Sequence, residues 1–151
     1  MPKIIVFIFS FVLVFSFFGY AQSDEESVKA VINKMFTAMK DGDSRSLMDC
    51  FADSAILQSV SEKDGKVSIT NEPVKDFANF VGKQPKGAAD ERITFDLVKI
   101  DASLAIAWTP YQFYYNGKFS HCGVDSYQLV RINGSWKIQY LIDTRRKEGC
   151  K

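Results

Sequence analysis

The spacing of apolar residues predicts a long helix near the start of the chain. Ser23 and Glu26 have the S-x-x-E spacing of a capping box, which marks a helix N-terminus. Apolar residues then recur at steps of three and four, at Val28, Val31, Ile32, Met35, Phe36 and Met39. This spacing predicts an amphipathic helix with one apolar stripe. The helix is expected to end near Asp41-Gly42, where glycine can adopt a left-handed cap.

Two further helices and a hairpin are predicted before residue 83. Asp43 or Ser44 is expected to cap a short helix that runs to about Phe51. Residues 55–61 and 66–70 have strand-like composition on either side of a turn sequence, which predicts a hairpin. Pro73 then opens a third helix that stops by Gly82, and residues 83–90 are expected to form a loop.

From Glu91 onward the apolar pattern has period two. Four strands are predicted, over residues 92–100, 103–115, 118–131 and 135–145. Asn116-Gly117 and Asn133-Gly134 separate the last three, and Asn-Gly is typical of two-residue hairpin turns. Helices followed by an antiparallel meander predict an α+β fold, with the helices packed on one face of a curved sheet.

The first residues have the pattern of an export signal. Lys3 precedes the apolar run at residues 4–18, and Gly19-Tyr20-Ala21 follows it. The run is shorter than the roughly 20 residues that span a bilayer. We therefore expect a signal peptide over residues 1–21, cleaved after Ala21, and a single domain over residues 22–151. The alternative is an uncleaved membrane anchor. The expected location is periplasmic or secreted.

Charge and cysteine content narrow the function classes. Of 19 basic and 18 acidic residues, only Lys3 lies in the signal segment, so residues 22–151 carry no net charge. This balance argues against a nucleic-acid surface and against membrane binding after cleavage. The cysteines Cys50, Cys122 and Cys150 allow three disulfide pairings, among which the sequence does not choose. Cys50, in an apolar patch, is expected in the core.

The order of elements resembles the NTF2-like cone fold, a SnoaL-like architecture. The strings at residues 108–115 (WTPYQFYY), 119–124 (FSHCGV) and 143–146 (DTRR) resemble the bacterial family called "putative lumazine-binding" within that superfamily. The resemblance implies helices packed on a curved antiparallel sheet, with a ligand pocket between them. It also implies a small-molecule ligand, which the family name suggests is lumazine- or pterin-like. It transfers no catalytic residues, and no cofactor is expected.

Alternation along the predicted strands divides the side chains between two faces. If both Asn-Gly pairs are two-residue turns on regular strands, Gln112 pairs with His121, Trp108 with Asp125, and Tyr127 with Tyr140. The pocket face would then carry Trp108, Gln112, Tyr114, Phe119, His121, Asp125, Tyr127, Leu129, Ile138, Tyr140 and Ile142. The other face would carry Thr109, Tyr111, Phe113, Cys122, Val124 and Asp143, among others. A bulge near Pro110 would move Trp108 to that other face.

Asp125 and His121 are the candidate catalytic residues. A carboxylate on an aromatic face can act as a general base once desolvation raises its pKa. The alternative is that Asp125 pairs with Arg145 or Arg146. His121, the only histidine, could donate a hydrogen bond or a proton near neutral pH. The alternative is that His121 has a structural role and bonds to its neighbours.

Trp108, Gln112, Tyr127 and Tyr140 are the candidate ligand-binding residues. The tyrosine hydroxyls could orient a ligand or stabilise an oxyanion, and the alternative is that both rings belong to the core. No metal site is expected, because His121 and Asp125 lie about 13 Å apart on a strand that rises about 3.3 Å per residue.

The sequence supports two main hypotheses for function. The first is an exported protein that binds a small molecule. The second is a cofactor-free isomerase or lyase in which Asp125 is the general base. A third is a homodimer that forms through the convex face of the sheet, with Tyr111, Phe113 and Val124 at the interface.

Overall fold

The computed structural model describes residues 23–150. Its helices are α1 (Asp24–Asp41), α2 (Ser44–Met48) and α3 (Val74–Val81). Its strands are β1 (Phe51–Lys63), β2 (Lys66–Asn71), β3 (Ala89–Ile93), β4 (Leu97–Asp101), β5 (Leu104–Tyr115), β6 (Lys118–Ile132) and β7 (Ser135–Arg145). The predicted signal peptide lies outside these residues. Between residues 23 and 150, no helix has both the length and the apolar character needed to cross a membrane.

The caps of α1 are those that its sequence predicts. The Ser23 hydroxyl accepts a hydrogen bond from the backbone N–H of Glu26, at 3.2 Å. At the other end, Gly42 has a φ of 70°, the left-handed conformation that glycine adopts without strain. Val28, Ile32, Met35 and Met39 from its apolar stripe are buried in the core. The prediction of this helix is confirmed.

One curved sheet of seven strands faces the helices, which confirms the α+β prediction. The strand order is β2-β1-β7-β6-β5-β3, and β4 pairs with the other end of β5. All pairs are antiparallel except β1 and β7, which run parallel. The expected strand over residues 92–100 is instead two strands, β3 and β4, and both pair with β5. The sheet also extends further than predicted, since β1 begins at Phe51 and β3 at Ala89.

Both Asn-Gly pairs form the predicted two-residue turns. Asn116 and Gly117 have φ values of 49° and 74°, and Asn133 and Gly134 have 50° and 81°. These are the positive φ angles that a hairpin turn of type I′ requires. The turns therefore set the register next to them as expected, with Tyr115 opposite Lys118.

Two bulges change the register beyond the turns. On β6, Phe119 pairs with Tyr114 but His121 pairs with Phe113, so Ser120 is an extra residue. A second bulge lies on β7, at Gln139, because Gln128 pairs with Tyr140 and Leu129 with Ile138. Each bulge shifts the pairing by one residue, which reverses the face of every side chain further along.

The cysteines divide between the core and a disulfide. Cys50 is buried and free, as its apolar surroundings predict. Cys122 and Cys150 form a disulfide, with their Cα atoms 5.8 Å apart. The backbones of Cys122 and Arg146 also bond to each other, so the end of the chain is fixed beside β6.

Candidate functional site

A cavity of about 290 Å³ lies between the concave face of the sheet, α1 and α3. Its volume is close to the lower end of the range for small-molecule sites, roughly 300–1,000 Å³. Most of its walls are apolar or aromatic, formed by Met35, Phe36, Met39, Leu57, Phe77, Phe80, Ala89, Phe113, Tyr115 and Leu141. The polar side chains in its lining are Glu72, Glu91, His121, Asp125, Asp143 and Arg145.

Two buried aspartates form the centre of this polar group. Asp125 on β6 and Asp143 on β7 are directly opposed in the sheet and are only 4% and 7% exposed. Opposed like charges destabilise a sheet unless other groups compensate them. Thr109 and Tyr127 donate hydrogen bonds of 3.1 and 3.2 Å to Oδ2 of Asp125. Asp143 has a different set of donors.

Asp143 is held by Arg145 and Tyr111. The Arg145 Nε lies 2.8 Å from Oδ2 of Asp143, and the Tyr111 hydroxyl lies 3.3 Å from the same oxygen. That hydroxyl also lies 2.8 Å from the carbonyl oxygen of Thr144. Arg145 therefore pairs with Asp143 rather than with Asp125, so the alternative of an Asp125–Arg145 ion pair is wrong.

Gly123 makes room for the Tyr111 side chain to cross β6. A Cβ atom at this glycine would lie 1.7 Å from the Thr144 oxygen and 2.7 Å from Cε1 of Tyr111. Any larger residue would therefore displace the ring that donates to Asp143. The absence of a side chain at Gly123 is thus part of the construction of the site.

Burial raises the pKa of two carboxyl groups on neighbouring strands. Desolvation, with the Asp143 charge as the next cause, raises the pKa of Asp125 to about 7, against the hydrogen bonds from Thr109 and Tyr127. Desolvation also raises the pKa of Glu91 well above its usual value, and the charges of Asp125 and Asp143 add to this effect. The interaction between the two side chains raises the pKa of Glu91 and lowers that of Asp125, so Glu91 is the member of the pair that keeps its proton more readily.

His121 lies in the cavity lining as a neutral ring. Burial and the nearby Arg145 charge lower its pKa, which favours the neutral imidazole at pH 7. Its Nδ1 lies 3.0 Å from the hydroxyl oxygen of Ser120, and the ring packs against Tyr111 and Phe113. It can therefore hydrogen-bond a ligand without adding charge to the cavity.

The structure brings together three of the six predicted site residues. His121 and Asp125 line the cavity, and Tyr127 lies fully buried beneath Asp125. The Tyr127 hydroxyl donates to Asp125, so it positions this carboxylate rather than facing a ligand.

The predicted placement of Trp108, Gln112 and Tyr140 on the pocket face is wrong. Ser120 shifts the β5–β6 pairing, so Thr109, Tyr111 and Phe113 face the helices while Trp108 and Gln112 face outward. Trp108 is 45% exposed, and Gln112 accepts a hydrogen bond from the Tyr114 hydroxyl. The extra residue Gln139 shifts the β6–β7 pairing in the same way, so Tyr140 faces outward. Its hydroxyl donates to Oε1 of Gln58 on the convex face.

The same two shifts affect other assignments made from the sequence. Tyr114, Phe119 and Ile142 were expected on the pocket face, and their pairing places them on the convex one. Tyr111 and Phe113 were expected at a convex dimer interface and instead lie on the concave face. For Ile142 the bulge responsible lies at Gln139 on β7, and for the residues of β5 and β6 it lies at Ser120 and not at Pro110.

Sequence reasoning missed Glu91, Asp143 and Arg145 as members of the site. Glu91 lies on β3, where it is paired with Phe113 on the neighbouring strand β5. One signal was available in the first half of β5, where Ala105, Ala107 and Thr109 alternate with the larger apolar residues Leu104, Ile106 and Trp108. Small residues at the start of that series leave space for packing against helices.

Within residues 23–150, no group of three or more His, Cys, Asp or Glu side chains could hold a metal ion.

The pattern of one protein family, described as "Putative lumazine-binding", matches residues 23–140. The chain belongs to this family. Membership, together with the cavity, indicates a protein that binds a small molecule. No curated protein matches the sequence at a significant level.

Solved structures share the fold of this lumazine-binding family member. An NTF2-like protein of unknown function from Shewanella baltica is 16% identical, with a TM-score of 0.63 over 82% of this chain and 94% of that one. An NTF2-like protein of unknown function from Methylobacillus flagellatus is 18% identical, with a TM-score of 0.61 over 82% and 92%. A Nostoc punctiforme domain with a cystatin-like fold is 18% identical, with a TM-score of 0.63 over 83% and 80%. At this identity the likeness establishes the NTF2-like fold alone.

Proposed function

We propose that the protein binds a small, flat molecule of lumazine or pterin type in the cavity between the sheet and the helices. The observation that carries this proposal is the combination of aromatic walls with two buried aspartates in a cavity of about 290 Å³. Apolar walls supply contact area, and a few polar groups orient the ligand. The family description supports a lumazine-like compound as the first one to test.

A thermal-shift screen of the purified protein against lumazine, pterin, riboflavin and a fatty acid tests this proposal. A ligand at 100 times its Kd stabilises the folded state by about 2.7 kcal/mol. This corresponds to a rise of several degrees in Tm for a domain of this size. Native mass spectrometry then gives the stoichiometry, expected to be one ligand per chain.

A matched pair of variants locates the bound compound. Met39 is buried and lines the cavity, whereas Met48 is 47% exposed on α2. Met39→Trp fills the cavity and should abolish the shift in Tm, while Met48→Trp should retain it. A screen in which no compound shifts Tm would refute the proposal, as would a shift that both variants retain.

A second candidate function is cofactor-free proton transfer by an isomerase or lyase. One observation favours it: Asp125 is buried in the cavity with a pKa raised to about 7, and no cationic side chain within residues 23–150 forms an ion pair with it. A general base works best when its pKa is close to the working pH. Asp125 would take a proton from the ligand, while neutral His121 or the proton on Glu91 would stabilise the resulting oxyanion.

Exchange of ligand protons with D2O, followed by NMR, tests this second function. Asp125→Asn should slow exchange at least 100-fold, in line with the roughly 10²–10⁴-fold contribution of a general base. Ligand affinity should stay within about tenfold of the original value. Asp53→Asn, on an exposed stretch of β1, is the matched control. Equal exchange rates in all three proteins would refute a general-base role for Asp125.

We further propose that the protein is exported and cleaved after Ala21. Lys3, the apolar run and the Gly19-Tyr20-Ala21 sequence support this proposal. So does the disulfide, because disulfides persist in oxidising compartments such as the periplasm. Mass spectrometry of the protein from its native cells should give an N-terminus at Gln22. An intact N-terminus would contradict cleavage.

A homodimer through the convex sheet face is also proposed. Large apolar side chains on that face are 39–47% exposed and lie on adjacent strands β4 and β5: Leu97, Leu104, Ile106 and Trp108. Clustered exposed apolar groups of this kind mark interaction surfaces. Sedimentation velocity should show a dimer that Trp108→Glu converts to a monomer and that Met48→Glu, at an exposed position on α2, leaves unchanged. A monomeric original protein would contradict it.

A further inference from the structure

The hydroxyl donors around the cavity already have acceptors within the protein. The hydroxyls of Thr109 and Tyr127 donate to Asp125, and the Tyr111 hydroxyl lies within hydrogen-bond distance of Asp143. The Tyr115 hydroxyl, at the cavity rim, donates to Oε1 of Gln84. Burial raises the pKa of Tyr111 and of Tyr127, so both phenols keep their protons.

Acceptor groups therefore outnumber donors in the lining. Four carboxyl groups line the cavity, and Arg145 is the one cationic side chain among the described residues of its lining. Arg145 is bound to Asp143, where its positive charge is already compensated. The lining thus has an excess of oxygen acceptors, which a ligand must meet with N–H or O–H donors because unmet buried acceptors are costly.

Glu91 and Asp125 are the pair that can receive such donors. They lie on β3 and β6 on the same side of the sheet, and both line the cavity. Among the residues that the structure describes, they have no cationic partner comparable with Arg145, which pairs with Asp143. In the absence of such a partner, burial and the charge of Asp125 raise the pKa of Glu91 and favour its protonated form. Two donors placed side by side on a ligand could take over the role of that proton.

The aromatic walls indicate the shape of the group that carries these donors. Phe77 and Phe80 from α3 and Phe113 and Tyr115 from β5 contribute four rings to the lining. Rings of this kind pack favourably against a planar heterocycle. A carboxylate in turn binds strongly to two parallel N–H groups held in one plane.

We infer that the ligand is a planar heterocycle that presents an amidine-like edge, a ring N–H beside an exocyclic NH2, to the carboxyl groups of Glu91 and Asp125. This inference rests on the proposed binding function and names the chemical class of its ligand. Pterin and lumazine are a matched pair for the test. They share one ring system, but pterin carries an amino group where lumazine carries an oxo group.

Isothermal titration calorimetry at pH 7 compares the two compounds. Pterin should bind at least tenfold more tightly than lumazine. Glu91→Gln, which removes an acceptor oxygen at nearly constant shape, should reduce the preference for pterin to less than threefold. Asp125→Asn should have the same effect and serves if the Glu91 variant does not fold. Glu62→Gln, on the exposed end of β1, is the matched control and should keep the full preference.

The possible outcomes separate this inference from the proposed function. Equal affinities, or tighter binding of lumazine, would overturn the inference while leaving the binding function intact. So would a preference for pterin that persists in both Glu91→Gln and Asp125→Asn. Binding of riboflavin or a fatty acid without either pteridine would also overturn it. Failure of every compound to bind would overturn both proposals together.

Discussion

Tyr127 donates a hydrogen bond of 3.2 Å from its hydroxyl to Oδ2 of Asp125, which lies two residues before it on β6. The same oxygen accepts a hydrogen bond of 3.1 Å from Thr109 on the neighbouring strand. Tyr127 is fully buried, and Asp125 accepts the proton of its hydroxyl. The two residues therefore form one unit, in which the core holds a carboxylate in a fixed position at the cavity wall.

Removal of this hydroxyl tests the unit. Tyr127→Phe should lower the free energy of unfolding by about 1.5–3 kcal/mol, the range for a hydrogen bond to a charged group. It should also raise the pKa of Asp125 further, because the lost bond favoured the ionised carboxylate. Urea unfolding gives the first quantity, and an NMR titration of the Asp125 carboxyl gives the second.

Tyr140→Phe is the matched control for this substitution. It removes a hydroxyl that donates to Gln58 on the opposite face of the sheet. The pKa of Asp125 should therefore not change. The unit described above would be wrong if the two variants shifted that pKa equally.

Stability should fall as the pH rises through the range in which Asp125 ionises. A carboxyl group with a higher pKa in the folded protein than in the unfolded chain stabilises the fold at low pH, and this contribution is lost as the pH rises through the folded value. For Asp125 the loss runs from about pH 4 to about pH 7, at up to roughly 1.4 kcal/mol per pH unit for each proton. Several charged or titratable groups face Asp125: Glu91 from β3, Tyr111 from β5, His121 and Tyr127 from β6, Asp143 and Arg145 from β7, and Glu72 before α3.

Comparison with Asp125→Asn isolates this effect. The amide does not titrate, so the variant should become more stable relative to the original protein as the pH increases from 5 to 8. Urea unfolding at each pH measures the difference. Asp53→Asn, at an exposed position, should track the original protein across the series. A difference between original protein and Asp125→Asn that is independent of pH would contradict the raised pKa.

Gly123→Ala should be strongly destabilising. The added methyl would overlap the carbonyl oxygen of Thr144 and the ring of Tyr111. Overpacking of this kind costs about 1–3 kcal/mol. The loss of stability in this variant should lie at or above the upper end of that range, because the methyl overlaps a backbone atom. Gln128→Ala, at an exposed position on the same strand, should change stability by less than about 0.5 kcal/mol. Unfolding midpoints in urea would show the contrast, and a Gly123→Ala protein of normal stability would refute the close approach.

The disulfide should contribute about 3–4 kcal/mol to stability, given the sequence separation of 28 between its cysteines. Cys150→Ser should reduce the free energy of unfolding by about that amount.

Thiol labelling of the unreduced protein should give no rapid reaction in the folded state, since Cys50 is buried and burial raises the pKa of its thiol. Unfolding without reductant should expose one thiol per chain. Two or more thiols would contradict the Cys122–Cys150 pairing.

Local patterns determined the elements of the fold and the two Asn-Gly turns. The apolar stripe of α1 follows from residue spacing, and the caps at Ser23 and Gly42 follow from residue types. The left-handed conformations of Asn116 and Asn133 are likewise a local property of Asn-Gly sequences. These features depend on neighbours within a few residues, so the sequence by itself was sufficient for them.

Tertiary structure decided which side chains meet in the cavity. The bulges at Ser120 and Gln139 arise from how neighbouring strands pair across the sheet, and no local pattern marked them. Because side chains alternate with period two, each extra residue moved Trp108 or Tyr140 to the opposite face. Asp125 and Asp143 are 18 positions apart in the chain, and only strand pairing makes them neighbours. The chemistry of the site depends on such long-range pairing, because burial and opposed charges exist only once the sheet has formed.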